Sequence, residues 1–140
     1  MFRLDIHIDY ASLYLLAQAN QIERVKKMKW YSDPSHAWLA VSLKQHPDAI
    51  NYSTGFGYIS PSGLTVYLEE DLEAPSFLRS KGIDSMSLPE KVYGKTRAPL
   101  TRYAKAPRMA YEVWIEGGYR LVSIETGVTL YEHKREKVSA

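Results

Sequence analysis

Two short stretches hold the side chains best suited by type to do chemistry: Tyr31-Ser32-Asp33-Pro34-Ser35-His36-Ala37-Trp38-Leu39 and Val66-Tyr67-Leu68-Glu69-Glu70-Asp71. A carboxylate beside an imidazole can orient it as a general base, which makes Asp33, His36 and Glu70 the catalytic candidates. Several carboxylate oxygens with one ring nitrogen can hold Mg²⁺, Mn²⁺ or Zn²⁺, which makes His36, Glu69 and Asp71 the metal candidates. The spacing matches no established metal or nuclease motif, so no cofactor is expected. The same residues also have plainer uses: Asp33 can cap a turn before Pro34, and the acids can sit at the positive end of a following helix. There is no phosphate-cradling glycine loop, dinucleotide fingerprint, paired-histidine zinc motif or Ser-His-Asp order. Gly55-Phe56-Gly57 lacks a third glycine and a following helix, and His7, His46 and His133 read as surface strand or loop residues.

The elements that must position these groups follow from periodicity. Phe2, Leu4, Ile6 and Ile8 alternate with polar residues, as in a half-buried strand. Asp9 can cap a helix over about residues 10–27, where Leu15, Ala19, Ile22, Val25 and Met28 recur at helical spacing. Residues 37–43 read as a strand, with a helix capped by Asp33 and opened by Pro34 as the rival, and 44–51 as a polar connection or short helical turn. Gly57 to Ser60, Pro61-Ser62-Gly63 and Leu64 to Leu68 read as a hairpin, because Pro and Gly punctuate two β-prone runs. A short helix follows over about residues 72–81, with Gly82 placed to end it. Residues 83–109 are an irregular basic segment with an edge strand near Pro99 to Ala104. Tyr111 to Glu116, Tyr119 to Glu125 and Val128 to His133, joined by Gly117-Gly118 and Thr126-Gly127 turns, form a three-stranded meander. Residues 134–140 read as a flexible tail.

Together these elements give an α+β fold in one domain over residues 1–140: a mostly antiparallel sheet of hairpin and meander, packed on the helix of residues 10–27, with the N-terminal strand at one edge. Such a length buries a real core without metal or disulfide staples. The chain has no cysteine, which excludes disulfides and thiolate chemistry. No apolar run approaches the roughly 20 residues a spanning helix needs, so the expectation is a cytoplasmic protein without membrane contact.

The net charge of +2 is too small to argue for nucleic acid, but the charges are unevenly placed. Glu69, Glu70, Asp71 and Glu73 cluster, whereas Lys91, Lys95, Arg97, Arg102, Lys105 and Arg108 form a tract without acids. With Tyr93 and Tyr103, that tract could track phosphates while its tyrosines stack on bases. The chain also has 11 tyrosines and 3 tryptophans, side chains that anchor protein interfaces at low entropic cost. Those in the meander lie on alternate sides of its strands and cannot all share one core. Trp114, Tyr119 and Tyr131 with Glu69, Glu70, Asp71 and Glu73 are the candidate partner-binding set.

Asp33-Pro34-Ser35-His36-Ala37-Trp38-Leu39, Tyr58, Val66 to Asp71 and Ala74-Pro75-x-Phe77 resemble a group of short uncharacterised proteins from bacteria, phages and plasmids, over about residues 30–80. The chain departs from that pattern at Ala37, where glycine is usual, and at Leu72, where cysteine is common. The resemblance carries no established activity and no catalytic residue. It implies a mobile genetic element, whose small proteins often act by blocking host machinery, including defence complexes. The expected function is therefore a non-enzymatic binding protein that occludes a host protein, with a second copy of the chain as a further partner. The rival classes are a nucleic-acid binder using residues 91–108 and a small metal-assisted hydrolase.

Overall fold

The computed structural model describes residues 9–17, 28–84, 92–93 and 102–135. The expected strand at 2–8, the helical stretch 18–27, Lys91, Lys95, Arg97 and the tail from 136 lie outside them. Helix α1 is described over residues 10–17 and begins as its sequence suggests, with the Asp9 carboxylate accepting the Ser12 N–H at 2.7 Å. The helix is followed in the described chain by β1 (Lys29–Ser32), β2 (Ala37–Ser42), the 3-10 helix η1 (Pro47–Tyr52), β3 (Tyr58–Ile59) and β4 (Thr65–Glu69). Then come α2 (Glu73–Ser80), β5 (Val92–Tyr93), β6 (Ala104–Lys105), β7 (Ala110–Ile115), β8 (Gly118–Ser123) and β9 (Thr129–Lys134). No described helix is long and apolar enough to cross a membrane.

The architecture is α+β, but the strands divide into two sheets rather than one. A six-stranded sheet runs β5-β1-β2-β4-β3-β6, antiparallel except where β5 lies parallel to β1, and the meander β7-β8-β9 forms a sheet of its own. The division occurs where the chain leaves β6. Pro107 has no N–H for a ladder, and the N–H groups of Met109 and Ala110 both bond the Ser53 carbonyl, at 2.8 and 3.0 Å. Thus β7 starts against the loop after η1 instead of extending the larger sheet.

Alternation selects the inner face of the large sheet. Leu39 and Val41 of β2 and Val66 and Leu68 of β4 are fully buried, while Trp38, Ala40, Tyr67 and Glu69 point the other way. The inner face is covered by α2 and η1, through Ala74, Phe77, Leu78, Ala49 and Tyr52, and the same core continues into the meander through Ala110 and Leu121. α2 packs against β4 and η1 and also against β9, so it joins the two sheets. Over its described residues the N-terminal helix is not a packing layer: Leu13, Leu15 and Leu16 are exposed, and α2 lies against the inner face of the large sheet.

α2 ends as expected. Ile83 and Gly82 N–H groups bond the carbonyls of Leu78 and Arg79, with Gly82 at φ +68° and Ile83 buried, a Schellman close that only a residue tolerant of positive φ permits. Two local readings need correction. Residues 29–32, given no strand in the sequence reading, form β1, because the run is too short for its alternation to register. In the meander the turn is Glu116-Gly117, and Gly118 belongs to β8, where a Cβ would lie 1.7 Å from the His133 carbonyl oxygen. Nor is the basic segment irregular throughout: β6 pairs with β3, and Ala106 is buried in the core.

Phe77 is fully buried and packs edge-on against Tyr52 at 5.6 Å and His46 at 5.8 Å. Phe77→Ala should cost about 3–5 kcal/mol of unfolding free energy in urea titration. The loss should appear in a single transition shared by both sheets. Separate transitions for the large sheet and the meander would contradict one core built on α2.

Candidate functional site

The two opening stretches lie side by side. β2 and β4 are antiparallel neighbours with Trp38 opposite Glu69, and the Glu70 N–H bonds the Ala37 carbonyl at 3.1 Å. This brings His36, Glu69, Glu70 and Asp71 to the rim of one cavity of about 280 Å³, which also has Trp38, Phe56, Tyr58 and Lys105 in its walls. Asp33 does not line it.

Two of the candidate acids, Asp33 and Glu69, are engaged in local architecture. Asp33 accepts the N–H groups of Ser35 and His36 at 2.8 and 2.6 Å, closing the turn between β1 and β2, and these bonds hold its carboxyl below the usual carboxylate range. Glu69 accepts from the backbone N–H groups of Asp71 at 2.7 Å, Leu72 at 2.5 Å and Glu73 at 2.8 Å. It thereby caps α2, whose own N-cap residue, Leu72, has no oxygen to offer. Among the described residues no three histidine or acidic side chains are placed to hold a metal ion.

Glu73, grouped with the surface acids in the sequence reading, is wholly buried and cannot touch a partner. Its carboxylate accepts from the Thr54 N–H, from the Thr54 hydroxyl at 2.8 Å and from the Glu69 N–H at 3.0 Å. Gly57 passes so close that a Cβ there would lie 2.1 Å from the Tyr67 carbonyl oxygen and 2.9 Å from Glu73 Oε1. Burial raises the Glu73 carboxyl above its ordinary value; the bonds from Glu69 and Thr54 oppose this, and the nearby Glu69 carboxylate adds to it.

A larger groove, about 640 Å³, opens on the other side of the acidic turn. Glu69, Asp71, Leu72 and Phe56 form one wall, and Glu112, Trp114, Tyr119, His133 and Arg135 of the meander and its end form the other. The meander wall is a cross-strand row. Trp114 lies opposite Tyr119 and Tyr119 opposite His133, with ring centroids 5.9 and 5.6 Å apart. The row is anchored at its middle, where the Tyr119 hydroxyl meets the Ser76 hydroxyl of α2 at 3.0 Å. Near its far end His133 Nδ1 lies 3.5 Å from an Arg79 guanidinium nitrogen and 3.4 Å from the Tyr131 hydroxyl. Trp114 itself, on the β7 edge, is 70% exposed, and Phe56 is 62% exposed.

Of the expected partner-binding residues, the groove therefore unites Glu69, Asp71, Trp114 and Tyr119. Glu70 lies on the smaller cavity, and Tyr131 packs against the core behind the groove. Phe56, Glu112, His133 and Arg135 were not selected from the sequence. An aromatic residue between two glycines, as at Phe56, is the one local sign that could have shown such a position. Of the basic tract, Arg102, Lys105 and Arg108 are exposed. Lys105 Nζ sits 4.3 Å from the Tyr58 ring centroid, while Tyr103 packs on Tyr67 at 5.7 Å. Tyr93 lies in β5, paired through Ser32.

A scan against protein-family models, a search of curated proteins and a search of solved structures each returned no match.

Because the folded-state value of Glu73 is raised, its contribution to stability is fully present below the unfolded value and is lost as pH rises through the folded one. In urea titrations from about pH 4 to about pH 8, the stability of the wild type relative to Glu73→Gln should fall with rising pH, by up to about 1.4 kcal/mol for each unit of the shift. A relative stability that grows with pH would refute the assignment.

Proposed function

We propose that this chain is a non-enzymatic binding protein that holds a partner protein in the groove between the meander and the acidic turn. The observation that carries the reading is the exposure of Trp114 and Phe56 on the walls of one concave surface. Large aromatic side chains dominate the energetics of interfaces when a partner desolvates them, and a rigid sheet presents them at small entropic cost. Asp33 and Glu69, occupied by backbone donors, do not favour a hydrolase. The resemblance of residues 30–80 to short proteins from bacteria, phages and plasmids supports a host-cell protein as the partner class, with occlusion of its surface as the mode of action.

A second reading rests on a different surface. Tyr31, Tyr58, Tyr67 and Tyr103 share the outer side of the large sheet, with ring centroids 5.9 Å apart for Tyr31–Tyr67 and Lys105 beside Tyr58. Aromatic rings with adjoining cations are what single-stranded nucleic acid binds. Band-shift titrations of single-stranded DNA and RNA in rising salt test it: Lys105→Glu with Arg102→Glu should weaken binding and flatten the salt slope by about two. No retardation at low salt removes it.

For the leading reading, nuclease-treated host lysate is passed over the immobilised wild type, Trp114→Ala and an outer-face control, Arg120→Ala. The wild type and the control should retain a common protein that Trp114→Ala loses. Equal retention by Trp114→Ala, or no retained protein, would refute the groove as the binding surface.

A further inference from the structure

We propose that the groove is built for an arginine or lysine side chain of the bound segment, with the charged head against Asp71 and Glu112 and the aliphatic stem along Trp114 and Phe56. The inference rests on the binding reading above and adds the chemistry of the occupant.

Glu112 and Trp114 are two residues apart on β7, so they share a face, and their partners on β8 are Leu121 and Tyr119, both buried. That face is therefore the inward face of the meander. α2 covers it over β9 and reaches Tyr119 through Ser76, whereas Glu112 and Trp114 on β7 remain exposed. An acid and an indole side by side on the inward face of a sheet, both open to water, form half of a site whose other half is not supplied by the chain's described residues.

Charge then selects the missing half. The groove is lined by the acids Glu69, Asp71 and Glu112 against a single guanidinium, Arg135. Glu69 faces its own backbone donors, as shown above. Asp71 and Glu112 are exposed, and among the described residues neither has an ion-pair partner. On the opposite face of the same meander the acid Glu132 is met by Arg120 at 3.1 Å and by Lys134 at 3.8 Å. The meander neutralises its outer acid internally and leaves the groove acids unneutralised. A cation reaching them from outside passes the faces of Trp114 and Phe56, where a guanidinium or ammonium is attracted by the ring quadrupole and its methylene stem covers apolar surface. An acidic segment would instead meet two carboxylates.

Selection of a random peptide library on the immobilised full-length chain tests this. The retained peptides should be enriched in arginine or lysine beside an apolar residue. Trp114→Ala should weaken a synthetic copy of the leading peptide by roughly tenfold. The double variant Asp71→Lys with Glu112→Lys should reverse the selection toward peptides bearing aspartate or glutamate, a gain that a misfolded variant cannot produce. Peptides without cationic enrichment that still depend on Trp114 would overturn the cationic occupant while leaving the groove as a binding site. Retention unaffected by Trp114→Ala, or no retained peptide, would overturn both. Cationic peptides whose charge preference persists unchanged in the double variant would also overturn the assignment to Asp71 and Glu112.

Discussion

One buried carboxylate organises the middle of this molecule. Glu73, the first residue of α2, reaches back to the Glu69 N–H at the end of β4 and sideways to Thr54 after η1, while its own N–H bonds the Glu69 carboxylate. The arrangement is reciprocal in the way a capping box is, each glutamate satisfying a backbone donor of the other, but it spans four residues and draws in a third part of the chain. Burying a carboxyl is costly unless its lone pairs are filled, and here every bond comes from the end of strand β4 or from Thr54 in the loop after η1. Gly57 can pass beside it only because it has no side chain.

This fixed helix start determines where everything else can sit. With α2 pinned to β4 at its first residue, Ala74, Phe77 and Leu78 fall on the inner face of the large sheet, and Ser76 and Arg79 turn toward Tyr119 and His133 of the meander. The groove is a consequence: α2 is short enough that β7, at the edge of its sheet, extends beyond its cover. It also explains why an acid-rich turn can look like a catalytic cluster in one dimension. Glu69 satisfies the donors at the start of α2, and Glu73 those of Thr54 and of Glu69 itself.

Aromatic residues fall into two groups for a related reason. Trp38, Tyr58, Tyr67 and Tyr103 pack on one another outside the large sheet and form a second, smaller cluster. Edge-to-face contacts such as Trp38–Tyr58 stabilise it without a further layer of aliphatic residues. Trp114, at the open end of the row it forms with Tyr119 and His133, and Phe56 stand exposed on the groove walls.

Much of the local structure was legible in the amino-acid order. A β-prone run marked β2, and Pro and Gly punctuation marked β4 and the meander strands; Asp9 capped its helix; and Gly82 ended α2. These are short-range effects, determined by sterics and hydrogen bonds within a few residues. The partition into two sheets was not legible, because it depends on Met109 and Ala110 meeting Ser53, more than fifty residues away in the chain. Nor was the place of α2 under the large sheet, which depends on η1, β4 and β9 meeting it from distant parts of the chain. The same holds for the site. The sequence determined that acids and aromatics were present in excess of what one core could use, whereas the tertiary structure decided that Glu73 is buried, Glu69 is a cap and Trp114 is exposed, since burial depends on what the rest of the chain brings against a side chain.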